Sequence, residues 1–421
     1  MQTFDAIVVG AGPAGSTIAR ALSTDGWKVL LAEEHHKIGH PVQCAGLVSS
    51  RVLKMAGSDQ MVLHPLGGAS VWSPSLQRVR FGAESSRAFV ISREGLDFHL
   101  AERAAHAGAL VETGWRFDRA RRTHTLPGGG WEADFTTVSG KETVAGHVLV
   151  GADGVASTVA RSLRLRRPIE LLPAYETEIP FPDADPKEVE IYLGSALAPG
   201  FFGWSIPDGH GNVRVGVAMK ARTDMTARDG YRALVKTMER RYGKSLPQPI
   251  DMMVSGIPVG MLPATATEGG LLVGDAAAQV KPLSGGGIFT GMRCAEIAGE
   301  VVSAALRDKD VSSVRLKEYE RRWRAELGTE FERALYFRRL FVRLTDAELE
   351  RLVEVLQDSR LTSAIVAFGD IDFPTVTARE LLRLSPSLVR LFPKALSAYF
   401  RKTDGLAPEL DLGPRLDRTH K

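Results

Sequence analysis

The chain is poor in cysteine: Cys44 and Cys294 are the only two among 421 residues. Two thiols cannot build the disulfide frame of a small secreted fold, and they fit a reducing, cytoplasmic setting. No run of about 18 apolar residues occurs, so no helix is expected to span a bilayer. The formal net charge of +3 is small for this length, which argues against nucleic acid as a partner. The first apolar strand starts almost at Met1, leaving no room for a cleaved signal. Internal repeats and low-complexity linkers are also missing. What remains is an ordinary globular composition, 44% hydrophobic and 24% charged, long enough for a large core and two or three subdomains.

The most informative stretch runs from Asp5 to Glu34. Phe4–Val9 reads as a buried strand, followed by Gly10-Ala11-Gly12-Pro13-Ala14-Gly15, an amphipathic helix from Ser16 to Leu22, and a second strand at Lys28–Ala32. Gly10 permits a tight turn, Gly12 leaves room for a pyrophosphate, and Gly15 lets the helix sit close to the strand. The helix start aims free N–H groups and a positive dipole end at that phosphate. Glu33, ending the second strand, is placed to accept ribose hydroxyls, with Glu34 as second choice. Strand, turn, helix and acid together favour a dinucleotide site over a merely structural glycine turn.

Further along, His35, His36 and His40 lie close together, but no second ligand cluster accompanies them, so a solvated loop is expected and no metal. Val90–His106 opens a helix with Ser92 as N-cap; Arg93 either faces the phosphate side or is a plain surface charge. Strands are expected at Ala69–Trp72, Arg78–Phe81, Ala109–Thr113, Trp131–Val138 and Val144–Gly151, the last leading into Asp153-Gly154. From residue 168 the pattern changes to short strands (Val189–Leu193, Phe202–Ile206, Val213–Met219), proline-rich turns and a helix near Tyr231–Tyr242, which suggests a mostly antiparallel sheet. Gly274-Asp275 then ends another buried strand, and Gly285-Gly286-Gly287 opens a long helix to Leu306. The expected division is 1–167 with a small strand insert near 60–90, 168–262, a return at 263–306, and a helical 307–421.

Gly10–Gly15, Arg93, Asp153-Gly154 and Gly274-Asp275, in this order, resemble the p-hydroxybenzoate-hydroxylase-like flavoproteins. The resemblance implies FAD as cofactor and an α/β fold: a Rossmann-type FAD-binding domain, a mostly antiparallel-sheet substrate domain and a helical C-terminal region. It implies Gly10, Gly12, Ala14 and Gly15 at the phosphates with Arg93 near them, Glu33 on the adenosine ribose and Asp275 on the ribityl chain. Gly287 and Ile288 would meet the isoalloxazine ring, and Asp153-Gly154 would support the same site. Within this family the chain is most similar to the geranylgeranyl reductase group. Pro41-Val42-Gln43-Cys44-Ala45-Gly46 looks like its flavin loop, and Phe202-Gly203-Trp204-Ser205-Ile206-Pro207 like its Tyr-x-Trp-x-Phe-Pro motif. Phe202 and Ile206 replace the usual aromatics, and Asp208 stands where a lysine is common.

The resemblance implies a reductase that saturates geranylgeranyl or other prenyl chains on a lipid or lipid precursor. Its electron donor would be NAD(P)H or a reduced carrier. Hydride transfer to an isolated alkene needs a proton at the other carbon, hence an apolar, dry site with one weak acid. Cys44 suits that role, since a thiol's ordinary pKa of about 8.5 keeps it protonated at neutral pH; its plain alternative is a small hydrophobe against the ring. Phe202, Trp204 and Pro207 would line the prenyl channel. Cys44 and Cys294 are expected to face one cavity, close enough for a redox switch. The alternatives are a flavin-dependent monooxygenase or halogenase acting on an aromatic, a non-catalytic flavoprotein, and a reductase of another lipid unsaturation. Phe331–Leu344, with Arg333, Arg338, Arg339 and Arg343, and Leu381–Phe400 either pack around the channel or rest on a membrane as peripheral helices.

Overall fold

The computed structural model describes residues 1–82, 86–166, 170–222, 224–385 and 388. β1 (Gln2–Val9), α1 (Pro13–Thr24) and β2 (Val29–Glu33) open the chain. Pro13 occupies the first turn of α1, where its missing N–H goes unused. A Cβ on Gly15 would stand 1.9 Å from the Gly10 carbonyl oxygen. Only glycine therefore lets α1 rise this close to the end of β1.

β3 (Leu47–Val48), α2 (Ser50–Ala56), β4 (Val62–Leu66), β5 (Gly68–Trp72), β6 (Arg78–Gly82), β7 (Ala88–Ile91) and α3 (Arg93–His106) follow. Ser92 caps α3 as expected, its hydroxyl accepting from the Gly95 N–H at 3.0 Å. Then come β8 (Leu110–Thr113), β9 (Arg116–Thr123), β10 (Gly130–Thr137), β11 (Gly140–Gly151) and α4 (Thr158–Ser162). The middle of the chain holds β12 (Glu170–Pro180), β13 (Glu188–Tyr192), β14 (Gly203–Pro207), β15 (Asn212–Ala218), α5 (Ala227–Tyr242) and β16 (Asp251–Val259). β17 (Ala266–Thr267), β18 (Gly270–Leu272) and α6 (Ile288–Arg307) return to the first style. α7 (Ser313–Trp323) runs through a π turn, Arg324–Gly328, into α8 (Thr329–Phe341), and α9 (Asp346–Leu356), α10 (Ser359–Phe368) and α11 (Pro374–Leu384) complete the helical end.

The first sheet has the order β17-β18-β11-β1-β2-β8, parallel from β18 to β8, with β10 and β9 folded back from β11. One face packs on α1, α6 and α7 through Ile18, Leu22, Val301, Tyr319 and Trp323. The other carries Phe117, Trp131, Phe135 and Val159. Burial on both faces explains the unbroken apolar runs of β1 and β2.

The second sheet, β16-β12-β15-β14-β13-β5-β6, is antiparallel except where β13 meets β5. The strands at 68–82 thus complete this sheet, while β3, β7 and β4 form a small third one. Val213, Val215 and Val217 of β15 pack with Leu234 and Met238 of α5. Alternation turns Arg214, Gly216 and Ala218 to the opposite face, where Ala218 joins Trp204 and Leu172.

The C-terminal helices close over these layers. Arg338 of α8 is buried, paired with Glu170 at 2.8 Å and stacked on Phe201. α8 therefore packs inside the protein at this point instead of offering Arg338 to a lipid surface. Of the expected Leu381–Phe400 segment, only the end of α11, Ser385 and Leu388 are described; the rest lies outside the described residues.

Candidate active site

A cavity of about 400 Å³ opens where β1, β2 and β11 end and extends to β16 of the second sheet. Such a position, outside the carboxyl ends of a parallel sheet, is where α/β folds bind ligands. Gly10, Gly12, Ala14, Glu33, Cys44, Arg93, Asp275, Gly287 and Ile288 line it. Gly15 acts from behind by letting α1 approach, and Ala45 packs toward the second sheet beside Leu47 and Phe202.

The turn has the features an anionic dinucleotide needs. α1 has no side-chain cap, so its first N–H groups are left for a ligand. A Cβ built on Gly12 would meet no protein atom within 4 Å; the missing side chain opens onto the cavity itself. Glu33 is tied to the turn: Oε2 accepts from the Ala11 N–H at 2.9 Å, and Oε1 from the His35 N–H at 3.1 Å. The His35 ring lies 2.7 Å from the same oxygen, while Lys37 and His40 pair with Glu94. The histidine-rich loop is thus held by carboxylates.

On the far side, Asp275 follows β18 in a turn whose Gly274 has φ +64°. Its carboxylate makes no hydrogen bond with any described side chain or N–H, although it is half-buried. Burial pushes its pKa up to about 6, against the pull of Arg93. A half-buried acceptor without a protein donor among the described residues, in a cavity-lining position, fits a polyhydroxylated chain. A Cβ on Gly287 would lie 2.9 Å from this carboxylate, so glycine at the start of α6 keeps the space open.

Asp153 is different. Its Oδ1 accepts from the Ser157 hydroxyl at 2.6 Å, and Oδ2 accepts from Thr158 and Val159 N–H at 2.7 and 3.0 Å. Both oxygens are engaged in capping α4, so its support of the site is indirect.

Arg93 is largely buried, with 14% of its side chain exposed. One Nη donates to both Asp97 oxygens at 3.0 Å, and its Nε is buried with no partner among the described residues. Burial opposes its charge, but Asp97 and then the Cys44 sulfur outweigh that cost and raise its pKa. Arg93 is therefore not a surface charge: it sits beside the Cys44 thiol, held by a carboxylate one helical turn away. Cys44 itself is half-buried at the cavity edge, with the Gly46 N–H 3.4 Å from its sulfur.

Cys294 does not share that cavity. Both cysteines are free; Cys294 lies in the core between the first sheet and α6, near Tyr319, and burial drives its thiol pKa well up. The expected facing pair is overturned, because α6 turns Cys294 toward α1 and α7. No disulfide switch follows.

Phe202, Trp204 and Pro207 occupy β14 and the residue before it, and none of them lines the cavity. Phe202 stacks on Phe201 at 4.2 Å and meets Trp204 edge-on at 6.2 Å. The wall in this region comes instead from Ser255, Gly256 and Ile257 of β16. Asp208 holds the β14–β15 turn, accepting from the His210 and Asn212 N–H groups at 2.7 and 3.0 Å.

Arg214 was not anticipated. From β15 it reaches the loop beside Cys44, donating to the Ala45 carbonyl at 2.7 Å and to that of Ile91 at 3.1 Å. The signal was in the strand: a lone arginine alternating with Val213 and Val215 must face inward opposite them. Glu176 was missed as well. It is buried, and Trp204 Nε1 donates to its Oε2 at 2.5 Å.

Comparison with known proteins agrees with this geometry. A family profile described as FAD binding domain matches residues 3–332. The digeranylgeranylglycerophospholipid reductase 2 of Methanothermobacter thermautotrophicus is 35% identical over 396 residues, 92% of this chain and 98% of the relative. The digeranylgeranylglycerophospholipid reductase of Methanocaldococcus jannaschii is 32% identical over 94% of this chain and 99% of its own. Among solved structures, a geranylgeranyl bacteriochlorophyll reductase-like protein from Thermoplasma acidophilum superposes with a TM-score of 0.83 at 24% identity, covering 94% of this chain and all of that one. The profile and the relatives show FAD as the cofactor, and the chain belongs to the geranylgeranyl reductase family of FAD-binding flavoproteins.

Proposed function

We propose that the protein is an FAD-dependent reductase that saturates double bonds of geranylgeranyl or related prenyl chains carried on a lipid or lipid precursor. The observation that carries this reading is the near full-length match to relatives named digeranylgeranylglycerophospholipid reductase. We take the electron donor to be NAD(P)H or a reduced carrier, and the working place to be the cytoplasmic side of a membrane.

When bound and reduced, FAD supplies the hydride. The chain's own residues do the rest. The uncapped start of α1 and the Gly10–Gly15 turn hold the phosphates, Glu33 the adenosine ribose, and Asp275 the ribityl hydroxyls. Gly287 and Ile288 would present backbone to the ring, and Cys44 lines the same cavity, with Ala45 beside it in the loop. Cys44 keeps a proton on Sγ for the alkene carbon that does not take the hydride. Arg93 lies beside the sulfur, and Asp97 fixes the guanidinium there. Phe202 and Trp204 belong to the apolar substrate side, behind Ala45 and the β16 wall, where water would be kept from the reacting carbons, whereas Pro207, the register partner of Val213, lies on the α5 face of the sheet.

The test is direct. Anaerobically reduced holoenzyme given a digeranylgeranyl glycerophospholipid should produce a stepwise mass gain of one hydrogen pair for each double bond. No gain with this lipid, with geranylgeranyl diphosphate or with a prenylquinone sinks the proposal. A hydroxylated or halogenated aromatic formed under air would replace it with the monooxygenase reading.

A further inference from the structure

The outer face of β16 breaks the pattern of the rest of the second sheet. Its inner residues, Ser255 and Ile257, line the cavity. Its outer ones are large, apolar and open: Met252 is 61% exposed and Val254 64%, with Ile250 just before the strand at 61%. Leu171 of β12, 48% exposed, continues the row. A Cβ on Gly256 would meet the Leu171 side chain at 2.8 Å, so Leu171 lies over the gap that glycine leaves. The four side chains form a ridge about 20 Å long, at the strand rise of about 3.4 Å per residue. β16 is also the edge of its sheet, with one row of backbone groups unpaired among the described residues. A long exposed apolar edge is a liability unless something covers it.

The neighbouring helix suggests the cover. α5 packs beside this ridge through Tyr231, whose ring lies 5.0 Å from that of Tyr175, the register partner of Val254. Along α5, Arg228, Arg232, Lys236 and Arg240 recur every fourth residue and all are exposed. Arg232 pairs with Asp229 at 3.3 Å. The other three have no ion-pair partner among the described residues. Four cations at this spacing make a stripe about 18 Å long on one side of the helix.

We propose that this face, the Leu171–Ile250–Met252–Val254 ridge together with the α5 stripe, rests on an anionic lipid surface. Apolar side chains entering the head-group region beside a row of cations are the combination such a surface binds. A second copy of the chain fits less well, because two-fold pairing of this patch meets the same unpaired cations with no acidic patch in return. Asp251, exposed between Ile250 and Met252, is the one acid on the strand and is outnumbered. The face and the cavity are then opposite sides of a single edge strand.

The experiment is sedimentation of FAD-loaded protein with vesicles, one set phosphatidylcholine alone and one containing phosphatidylglycerol. It needs no turnover, so its failure is separable from failure of the reductase reading. Wild type should pellet with the anionic vesicles at least about tenfold more than with the neutral ones, and high salt should release it. Met252→Asp with Val254→Asp should abolish binding, and Arg228→Glu with Lys236→Glu and Arg240→Glu should remove the salt-sensitive part. These sites are exposed, and an unchanged visible flavin spectrum checks that each variant is folded. Equal pelleting with both vesicle sets, or variants that bind like wild type, overturns the proposal. So does a wild-type dimer that Val254→Asp converts to a monomer, which would assign the ridge to a second copy.

Discussion

The Trp204 indole donates to the Glu176 carboxyl at 2.5 Å across Gly216, the residue that pairs with both in the second sheet. A Cβ on Gly216 would lie 2.5 Å from the indole ring and 2.9 Å from the Glu176 Cβ. The glycine is thus the space through which two strands away from each other share a hydrogen bond. Gly216→Val should push the indole aside and destabilise the protein by about 1–3 kcal/mol, as overpacking does. Trp204→Phe, which keeps an aromatic ring but removes the donor and leaves the carboxyl unpartnered, should cost at least a similar amount. Thermal or urea denaturation checks both; a variant as stable as wild type would mean that the bond contributes nothing net.

The same carboxyl predicts a pH effect. Burial pushes the Glu176 pKa up to about 7 from its ordinary 4.5, with Trp204 and Arg214 pulling the other way. An acid whose folded pKa is raised binds its proton more tightly when folded. Its contribution is therefore complete below about 4.5 and is lost as pH rises through about 7. Glu176→Gln keeps an acceptor for the indole and cannot ionise. Its stability relative to wild type should grow across that window and level off above it. A flat difference between the two denaturation profiles would show that Glu176 does not titrate there.

Glu33→Ala removes the acceptor that holds Ala11 and His35 N–H groups and, in our reading, the adenosine ribose. FAD affinity should fall by about 1–3 kcal/mol, measured by fluorescence quenching during titration of apoprotein. Glu34→Ala should change less, because Glu34 stands at the open rim of the cavity with 56% of its side chain exposed and no hydrogen bond to the glycine turn. Equal losses at the two positions would take the ribose role from Glu33.

These residues also show what was legible beforehand. The β1–α1–β2 unit was readable because each part obeys a local rule: buried runs, a glycine turn, an acid at the strand end. β12 and β16 were passed over for a physical reason. β12 buries Glu176 and Thr177 and interrupts its run with Pro173, while β16 puts its apolar residues outward. Neither carries the usual alternation, and of the two only β16 borders the cavity. Cys294 was misread because helical spacing gives distance along α6 but not the direction its side chain takes. Arg93 and Asp97 lie four residues apart on α3, a pairing the spacing allowed, yet only packing could put Cys44 beside them.

The last prediction concerns Cys44 and the residue that holds its loop. Cys44→Ser should retain FAD and lose reduction by about a hundredfold or more, since a general acid commonly contributes that much. Arg214 does not touch the reacting atoms; it fixes the adjacent Ala45 carbonyl from the second sheet, with Glu178 3.9 Å from its guanidinium. Arg214→Met should let the loop shift, lowering kcat by about tenfold while FAD stays bound, because a small misplacement of a reacting group is costly. Arg214→Lys can reach one carbonyl and should recover part of the rate. A merely structural arginine would lower stability without changing kcat in the folded fraction, so denaturation and single-turnover reduction are measured on the same preparations. If Cys44→Ser reduces the chain at the wild-type rate, the thiol only packs against the ring, and Arg214 then has no proton donor to position.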